Sequence, residues 1–402
     1  STSPFVPQMD LAQQRMLHRV YCAISTRLSG MKILVLTKRQ YMGKDLLDNC
    51  FGRFWELPLE LARRGHDVRG IALSYRTGSE CNFLAADAKP GSLEWHAVNF
   101  LKVPWSKECR YLRTAEKIMQ TFQPDLIWAC SDAYHAILGD RLAKRSGVKL
   151  VVDLYDNFDS YPATKIPGVR FLFKRALRAA HGITFVSSRL ENYVRDRYRV
   201  SAPALVLENA IRADLFHPMR RQECRQRLQL PQDAKIIGTA GALFPSRGIA
   251  TLYRAFEALA AENRNIHLAL AGPRPGRSGI PLGESVHDLG VLSADMVPLF
   301  LNALDVAVVC NRDSAFGRYS FPQKAREIIA CGTAMVGAEV GAMKDILQDR
   351  PECLFKPDNT TSLAAAIRGQ LTAPTVIKEV PAWSNLAVSL ETFFDSVQCG
   401  QA

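Results

Sequence analysis

These 402 residues contain no pair of cysteines at CxxC spacing, no Cys/His cluster spaced for zinc and no apolar run long enough to cross a bilayer. The ten cysteines lie scattered from Cys22 to Cys399. They read as reduced, mostly buried small hydrophobes of a cytosolic protein. The first 30 residues lack an apolar core of signal-peptide length, so the expected location is the cytoplasm, at most peripheral on the inner face of a membrane. Lys and Arg never form a compact run interleaved with aromatics, and no nucleic-acid motif accompanies them. Nucleic acid therefore ranks last among anionic partners.

What is present is length, and charge of uneven placement. The chain exceeds what one hydrophobic core usually serves, which predicts two domains, and its 48% apolar content is ordinary for a globular protein. Residues 1–200 hold 31 Lys and Arg against 19 Asp and Glu, whereas residues 201–402 hold 20 of each, so the whole net charge of +12 lies in the first half. That asymmetry favours an acidic membrane surface or a phosphorylated acceptor as partner of the first half, against a simple solubility effect. Arg170, Lys174 and Arg178 recur every four residues as one helical stripe, with Phe171, Leu172 and Phe173 as nearby apolar surface and Lys165 and Arg175 close by. A solvated helix face over a buried aromatic layer is the alternative.

Residues 1–30 read as an extension ahead of the fold. Met9–Leu28 is either an amphipathic helix for an acidic bilayer or an unstructured leader. From Met31 the pattern becomes strand, glycine-bearing loop, helix, strand: MKILVLT (31–37), a loop with Gly43 and Gly52, a helix ending at Gly65, and HDVRGIAL (66–73). Further apolar runs at 126–129, 150–152, 183–187 and 205–207 alternate with helical stretches such as 170–180, so a first α/β domain spans 31–208. A second series begins with KIIGTAG (235–241) and continues through HLALAG (267–272), VHDLGVL (286–292), DVAVVC (305–310) and AMVGA (334–338), giving a second domain over 209–380. Ligands of such sheets bind beyond the carboxyl ends of their strands, and two such domains facing each other leave a cleft there.

The stretch Ser314–Gly332 reads as a glycine-bearing loop feeding a short helix. Ser320 and Gln323 are spaced for a reciprocal cap, Pro322 suits the first turn and Gly332 ends the helix. Such a helix start suits a phosphate. Lys324 and Glu327 share one helical face, a cation for phosphate beside a carboxylate for ribose hydroxyls, against an ordinary surface ion pair.

Taken together, LARRGHDV (61–68), ENAIRADLFHP (208–218), GALFPSRGI (241–249), LALAGPRPG (268–276), VHDLGVL (286–292) and FPQKAREIIACGTAMVG (321–337) resemble the retaining glycosyltransferases of family 4. The resemblance runs from Met31 to Val397 and implies the GT-B architecture: two Rossmann-like doubly wound domains facing across a cleft. Residues 381–402 then resemble the terminal helix that returns to the first domain.

The resemblance implies a donor site of Gly241, Arg247, Gly248, Phe316, Gly317, Arg318, Tyr319, Ser320, Lys324 and Glu327. Arg247 falls where the family usually has a lysine on the donor diphosphate, and Glu327 matches the glutamate expected to hold the donor ribose. Two positions depart: Ala242 replaces the family arginine and Tyr319 the first glutamate, leaving Lys324 or Arg318 as replacement cation. On the acceptor side stand Gly43, Lys44, Asp156 and Asn157, with Lys38 and Arg39 as further charges. Asp156 either orients the acceptor hydroxyl or makes a loop hydrogen bond.

Arg247, Lys324, Glu327 and Asp156 are thus the expected catalytic set for moving a sugar from a nucleotide-diphosphate sugar to a glycan or lipid-linked hydroxyl acceptor. No DxD triplet is present, so no metal and no other cofactor is expected. Two alternatives share the fold: a sugar-nucleotide epimerase, and a degenerate subunit that binds a nucleotide or a partner.

Overall fold

Apolar runs of four to eight residues, bounded by glycine and polar turns, become buried parallel strands in both halves of the chain. The computed structural model describes residues 30–41, 44–76, 80–100, 110–276, 279–319, 321–377 and 380–400. The strands are β1 (Lys32–Lys38), β2 (Gln40–Tyr41), β3 (Lys44–Asp45), β4 (Asp67–Ser74), β5 (Asn82–Leu84), β6 (Ser92–Asn99), β7 (Leu126–Ala129), β8 (Lys149–Leu154), β9 (Gly182–Phe185), β10 (Ala204–Val206), β11 (Lys235–Ala240), β12 (Ile266–Ala271), β13 (Val286–Asp288), β14 (Val306–Val309), β15 (Ala334–Ala338) and β16 (Leu354–Phe355). The expected extension, with its amphipathic helix at Met9–Leu28, lies outside the described residues.

The chain forms two compact units: residues 1–152, 179–181 and 394–402, and residues 153–178 and 182–393. Within the first, strands follow the order β8-β7-β1-β4-β6-β5. All neighbours are parallel except the edge hairpin of β5 on β6. Continuous apolar runs do not reveal β6, because SLEWHAVN alternates half-exposed Glu94 and His96 with buried Leu93, Trp95 and Ala97. That is the pattern of a strand covered on one face.

The second unit holds a six-stranded, all-parallel sheet in the order β13-β12-β11-β14-β15-β16. This is a doubly wound order whose direction reverses between β11 and β14. Side chains alternate cleanly on β14: Val306 and Val308 enter one hydrophobic cluster with Leu252, Phe256 and Ile367, while Ala307 and Val309 enter the other with Phe300, Ile328 and Met335. Buried Arg225 closes one edge of this core. It donates to the carbonyls of Ala303, Gln232 and Ala234 and pairs with Asp305 at 2.7 Å, and Asp305 in turn accepts the Ile236 N–H.

The terminal helix Trp383–Gln398 starts beside the bridge between Ile211 and Ala382. Its end belongs to the first unit, as the returning helix of a GT-B chain should. There the Phe394 ring lies 5.6 Å from that of Trp128, and Gln398 donates to the Asp125 carbonyl at 2.6 Å.

Candidate functional site

Three strand ends of the second sheet converge through glycine. Gly241 follows β11 at φ +115° and donates to the Ala271 carbonyl at 2.7 Å; Gly272 follows β12 and donates to the Gly290 carbonyl at 2.7 Å. A Cβ on Gly272 would strike the Gly241 carbonyl, so the approach requires glycine. Lys324, from the helix Gln323–Ala330, reaches across to the same point. Its ammonium donates to the Ala240 carbonyl, and a Cβ on Gly241 would occupy the place of that ammonium. Gly241 is thus favoured by its backbone angle, and a side chain there would have to displace the end of Lys324.

Gly248, at φ +77°, ends the single turn Pro245–Arg247 and starts the helix Ile249–Glu262. Arg247 is half-buried, and burial lowers its guanidinium from the usual range while the charge of Asp156 opposes that shift. Asp156 follows β8; its carboxylate accepts the Asn157 N–H at 2.7 Å and the Tyr161 hydroxyl at 3.0 Å. Asn157 caps the next single turn, accepting the Asp159 N–H at 3.1 Å. Asn157 thus shapes the loop, and the charge of Asp156 reaches Arg247.

The glycine-bearing stretch differs from its expected form. Ala315–Tyr319 is a one-turn helix rather than a loop. The Gly317 N–H meets the Ser314 hydroxyl at 3.2 Å, and a Cβ on Gly317 would strike the Arg312 carbonyl. Glycine stands there for close approach, not for freedom of the chain. The expected cap of the next helix is also replaced: Pro322 holds the cap position without a side-chain bond, and Gln323 instead donates to the Ala210 carbonyl at 2.7 Å. Ser320, the Phe316 side chain and Gly43 lie outside the described residues.

Glu327 is half-buried one turn beyond Lys324; burial, with the charge of Glu327 adding to it, raises the Cys331 thiol to about 12. Arg318 is an exposed partner of Asp313 at 2.6 and 3.0 Å. Tyr319 places its ring 4.8 Å from that of Tyr193, whose hydroxyl donates to Asp159 at 3.0 Å. Lys44 belongs to the first unit, its ammonium 4.0 Å above the Phe51 ring. Arg39 is buried there in ion pairs with Asp45 and Asp48 at 2.8 and 3.1 Å.

Within the second unit the structure thus joins Lys324 to Gly241 and, separately, sets the charge of Asp156 against Arg247, the residue before Gly248. Sequence reasoning passed over one further half-buried ion pair of this unit. Arg274 follows Gly272 and Pro273, pairs with Asp288 at the end of β13, and keeps a buried Nη1 with no partner among the described residues. The motif LALAGPRPG contained it, but nothing in the spacing tied it to Asp288.

Both halves of the chain resemble known proteins. A model described as "Glycosyl transferases group 1" matches residues 234–373, and one described as "Glycosyl transferase 4-like domain" matches residues 53–210. A D-inositol 3-phosphate glycosyltransferase of Saccharomonospora viridis is 30% identical over 189 residues, 43% of this chain and 41% of that protein. The chain thus matches about two fifths of the length of that relative. The putative teichuronic acid biosynthesis glycosyltransferase TuaC of Bacillus subtilis is 22% identical over 82% of this chain and 81% of its own. Among solved structures, sucrose-phosphate synthase from Thermosynechococcus elongatus superposes with a TM-score of 0.71 at 18% identity, covering 92% of this chain and all of that one. Anabaena Alr3699/HepE in complex with UDP-glucose superposes at 0.60 and 17% identity, covering 92% of this chain and 97% of that one. With both halves matched by their own models and the fold shared along nearly the whole length, the chain belongs to the family 4 type of GT-B glycosyltransferases.

Proposed function

We propose that this glycosyltransferase takes its sugar from a nucleotide-diphosphate donor, passes it to a hydroxyl acceptor with retention of configuration, and needs no metal. The observation that carries the reading is Lys324 laid over Gly241 at the strand-order reversal, with Arg247 one short turn away. Breaking a sugar-to-diphosphate bond leaves negative charge on the departing diphosphate, and fixed cations beside open backbone suit that charge. Glu327 would hold the donor ribose from the same helical face. Solved neighbours of the same fold support the donor class, since they include complexes with UDP and UDP-glucose. In a retaining transfer the acceptor attacks on the face the diphosphate leaves, so no enzyme nucleophile is required, and Asp156 would orient the acceptor hydroxyl. The absence of a DxD triplet supports the metal-independent reading.

The acceptor is proposed to be a glycan or a lipid-linked hydroxyl presented at an acidic membrane surface on the cytoplasmic side. Ile166 and Phe171 are 53% and 69% exposed beside exposed Lys165, Arg170 and Arg175. The helix Val169–Ala179 does not present the expected stripe unchanged, however. Phe173 is buried, Arg178 donates to the Tyr198 carbonyl at 2.9 Å, and Arg170 lies 3.5 Å from Asp159.

A second reading, a subunit that binds nucleotide without turnover, draws on Ala242 and on Tyr319 being held by Tyr193. A panel of nucleotide sugars, assayed with and without a membrane extract, separates the readings. Transfer that requires the extract supports the glycosyltransferase, binding without turnover the degenerate subunit, and conversion of the sugar without acceptor an epimerase.

A further inference from the structure

The helix Ser188–Tyr198, capped by the Ser187 hydroxyl on the Leu190 N–H, places Arg189 and Tyr193 four residues apart and so on one face. That face meets later segments of the second unit. Arg189 pairs with Asp345 at 2.9 and 3.1 Å, and the Tyr193 ring lies 4.8 Å from that of Tyr319, with 41° between the planes. An exposed ion pair such as the first contributes little. The second is half-buried on both sides, and an aromatic pair at that spacing is the firmer contact.

The other end of Tyr193 reaches the loop after β8. Its hydroxyl donates to Asp159 at 3.0 Å, and burial, then the charge of Asp159, push the phenol above its ordinary range, which keeps it a donor. Asp159 also accepts the Tyr198 hydroxyl and lies 3.5 Å from Arg170 and 4.0 Å from Arg197. Two helices thus hold its carboxylate. The Asp159 N–H donates to the Asn157 side chain at 3.1 Å, and the Asn157 N–H to the Asp156 carboxylate at 2.7 Å, so residues 156–159 form one bonded turn. Tyr193 pins that turn at its far end, and at its near end stands the charge that acts on Arg247.

Resting on the donor reading above, we propose that Tyr193 is a positioning residue for the transfer: its hydroxyl sets the turn that carries Asp156, and its ring sets Tyr319, a donor-site position by resemblance. One side chain then holds an acceptor-side group and a donor-side group in step. The two ends act on different quantities. Losing the hydroxyl frees the turn and lets Asp156 leave the place from which it orients the acceptor, which lowers turnover at saturating donor. Losing the ring frees Tyr319 and weakens the donor complex, which raises the donor KM.

The test is initial-rate kinetics of the full chain with a membrane extract as acceptor source, over a concentration series of the nucleotide sugar that the panel above selects, repeated on Tyr193→Phe and Tyr193→Leu. Tyr193→Phe keeps the ring and is expected to lose about tenfold in kcat at an unchanged donor KM, whereas Tyr193→Leu should lose as much in kcat and also raise the donor KM several-fold. A merely structural role would lower the melting temperature of both variants and leave the kinetics of the folded fraction as they are. If Tyr193→Leu fails to fold, as judged by circular dichroism, Tyr193→Met takes its place with a flexible chain of similar reach. Wild-type kcat in Tyr193→Phe would overturn the proposal, and so would a donor KM in the ringless variant equal to that of Tyr193→Phe. Should the unaltered protein turn over no member of the panel, the donor reading fails and this inference with it; should it turn over and the variants match it, this inference alone fails.

Discussion

Residues 235–332 and residues 162–178 both belong to the second unit and both carry cations, but they use them oppositely. In the first region Lys324 is turned onto a backbone carbonyl over a glycine, Arg247 is half-buried, and Arg274 is paired inside. In the second, Lys165 and Arg175 are exposed beside exposed Ile166 and Phe171, and Arg170, exposed as well, lies 3.5 Å from Asp159. The sequence half without net charge is the one that places cations at strand ends, while the half with all the excess carries this outward patch. Net charge therefore says which surface attracts an anionic partner at a distance; it does not say where bond cleavage is assisted.

The largest effect should come from breaking the inward arrangement. Lys324→Ala removes the charge over Gly241, and turnover is expected to fall by about 10²- to 10³-fold with little change in melting temperature. Gly241→Ala should reproduce the loss from the other partner, since its Cβ displaces the ammonium. Initial rates with saturating donor check both. Glu327→Ala comes next: losing a charged hydrogen bond to the ribose is expected to weaken donor binding by roughly 1.5 to 3 kcal/mol, read by titration. Unchanged affinity would remove Glu327 from the site.

Smaller effects sharpen the outward half of the comparison. Binding to anionic vesicles should weaken by about 1 kcal/mol for each of Lys165, Arg170 and Arg175 replaced by alanine, and should fade as salt rises. Phe171→Ala should weaken sedimentation with vesicles while leaving donor affinity as it was. Equal binding to neutral and anionic vesicles, or none at low salt, would assign the patch to solvent. The smallest effect expected is that of EDTA, which should leave the transfer rate unchanged; dependence on added magnesium or manganese would count against the proposed chemistry.

The fold was readable because its signal is local. Runs such as Leu126–Ala129 and Val306–Val309 are apolar throughout, as parallel strands covered on both faces must be. Strand β6 was not readable that way, since its exposed face breaks the run. Of the candidate site, the local placements were legible: Lys324 and Glu327 share a helical face by their spacing, and Gly241 follows a strand. By contrast, the Arg274–Asp288 pair, the Tyr193–Tyr319 ring contact and the Gly317 approach to Arg312 join segments that only the folded chain brings together. Gly317 shows the limit well. A glycine suggests a loop when read alone, yet here it is helical and is excluded from bearing a side chain by a neighbouring carbonyl.

The most direct test of the account is the turnover of a nucleotide-diphosphate sugar by the intact chain and by Lys324→Ala, with a membrane extract as acceptor source and the product anomer read by NMR. The account predicts extract-dependent transfer with the donor's anomeric configuration kept, and a loss of at least a hundredfold in the variant while its melting temperature stays within a few degrees. An inverted product, or a folded Lys324→Ala variant that turns over at the wild-type rate, would contradict it.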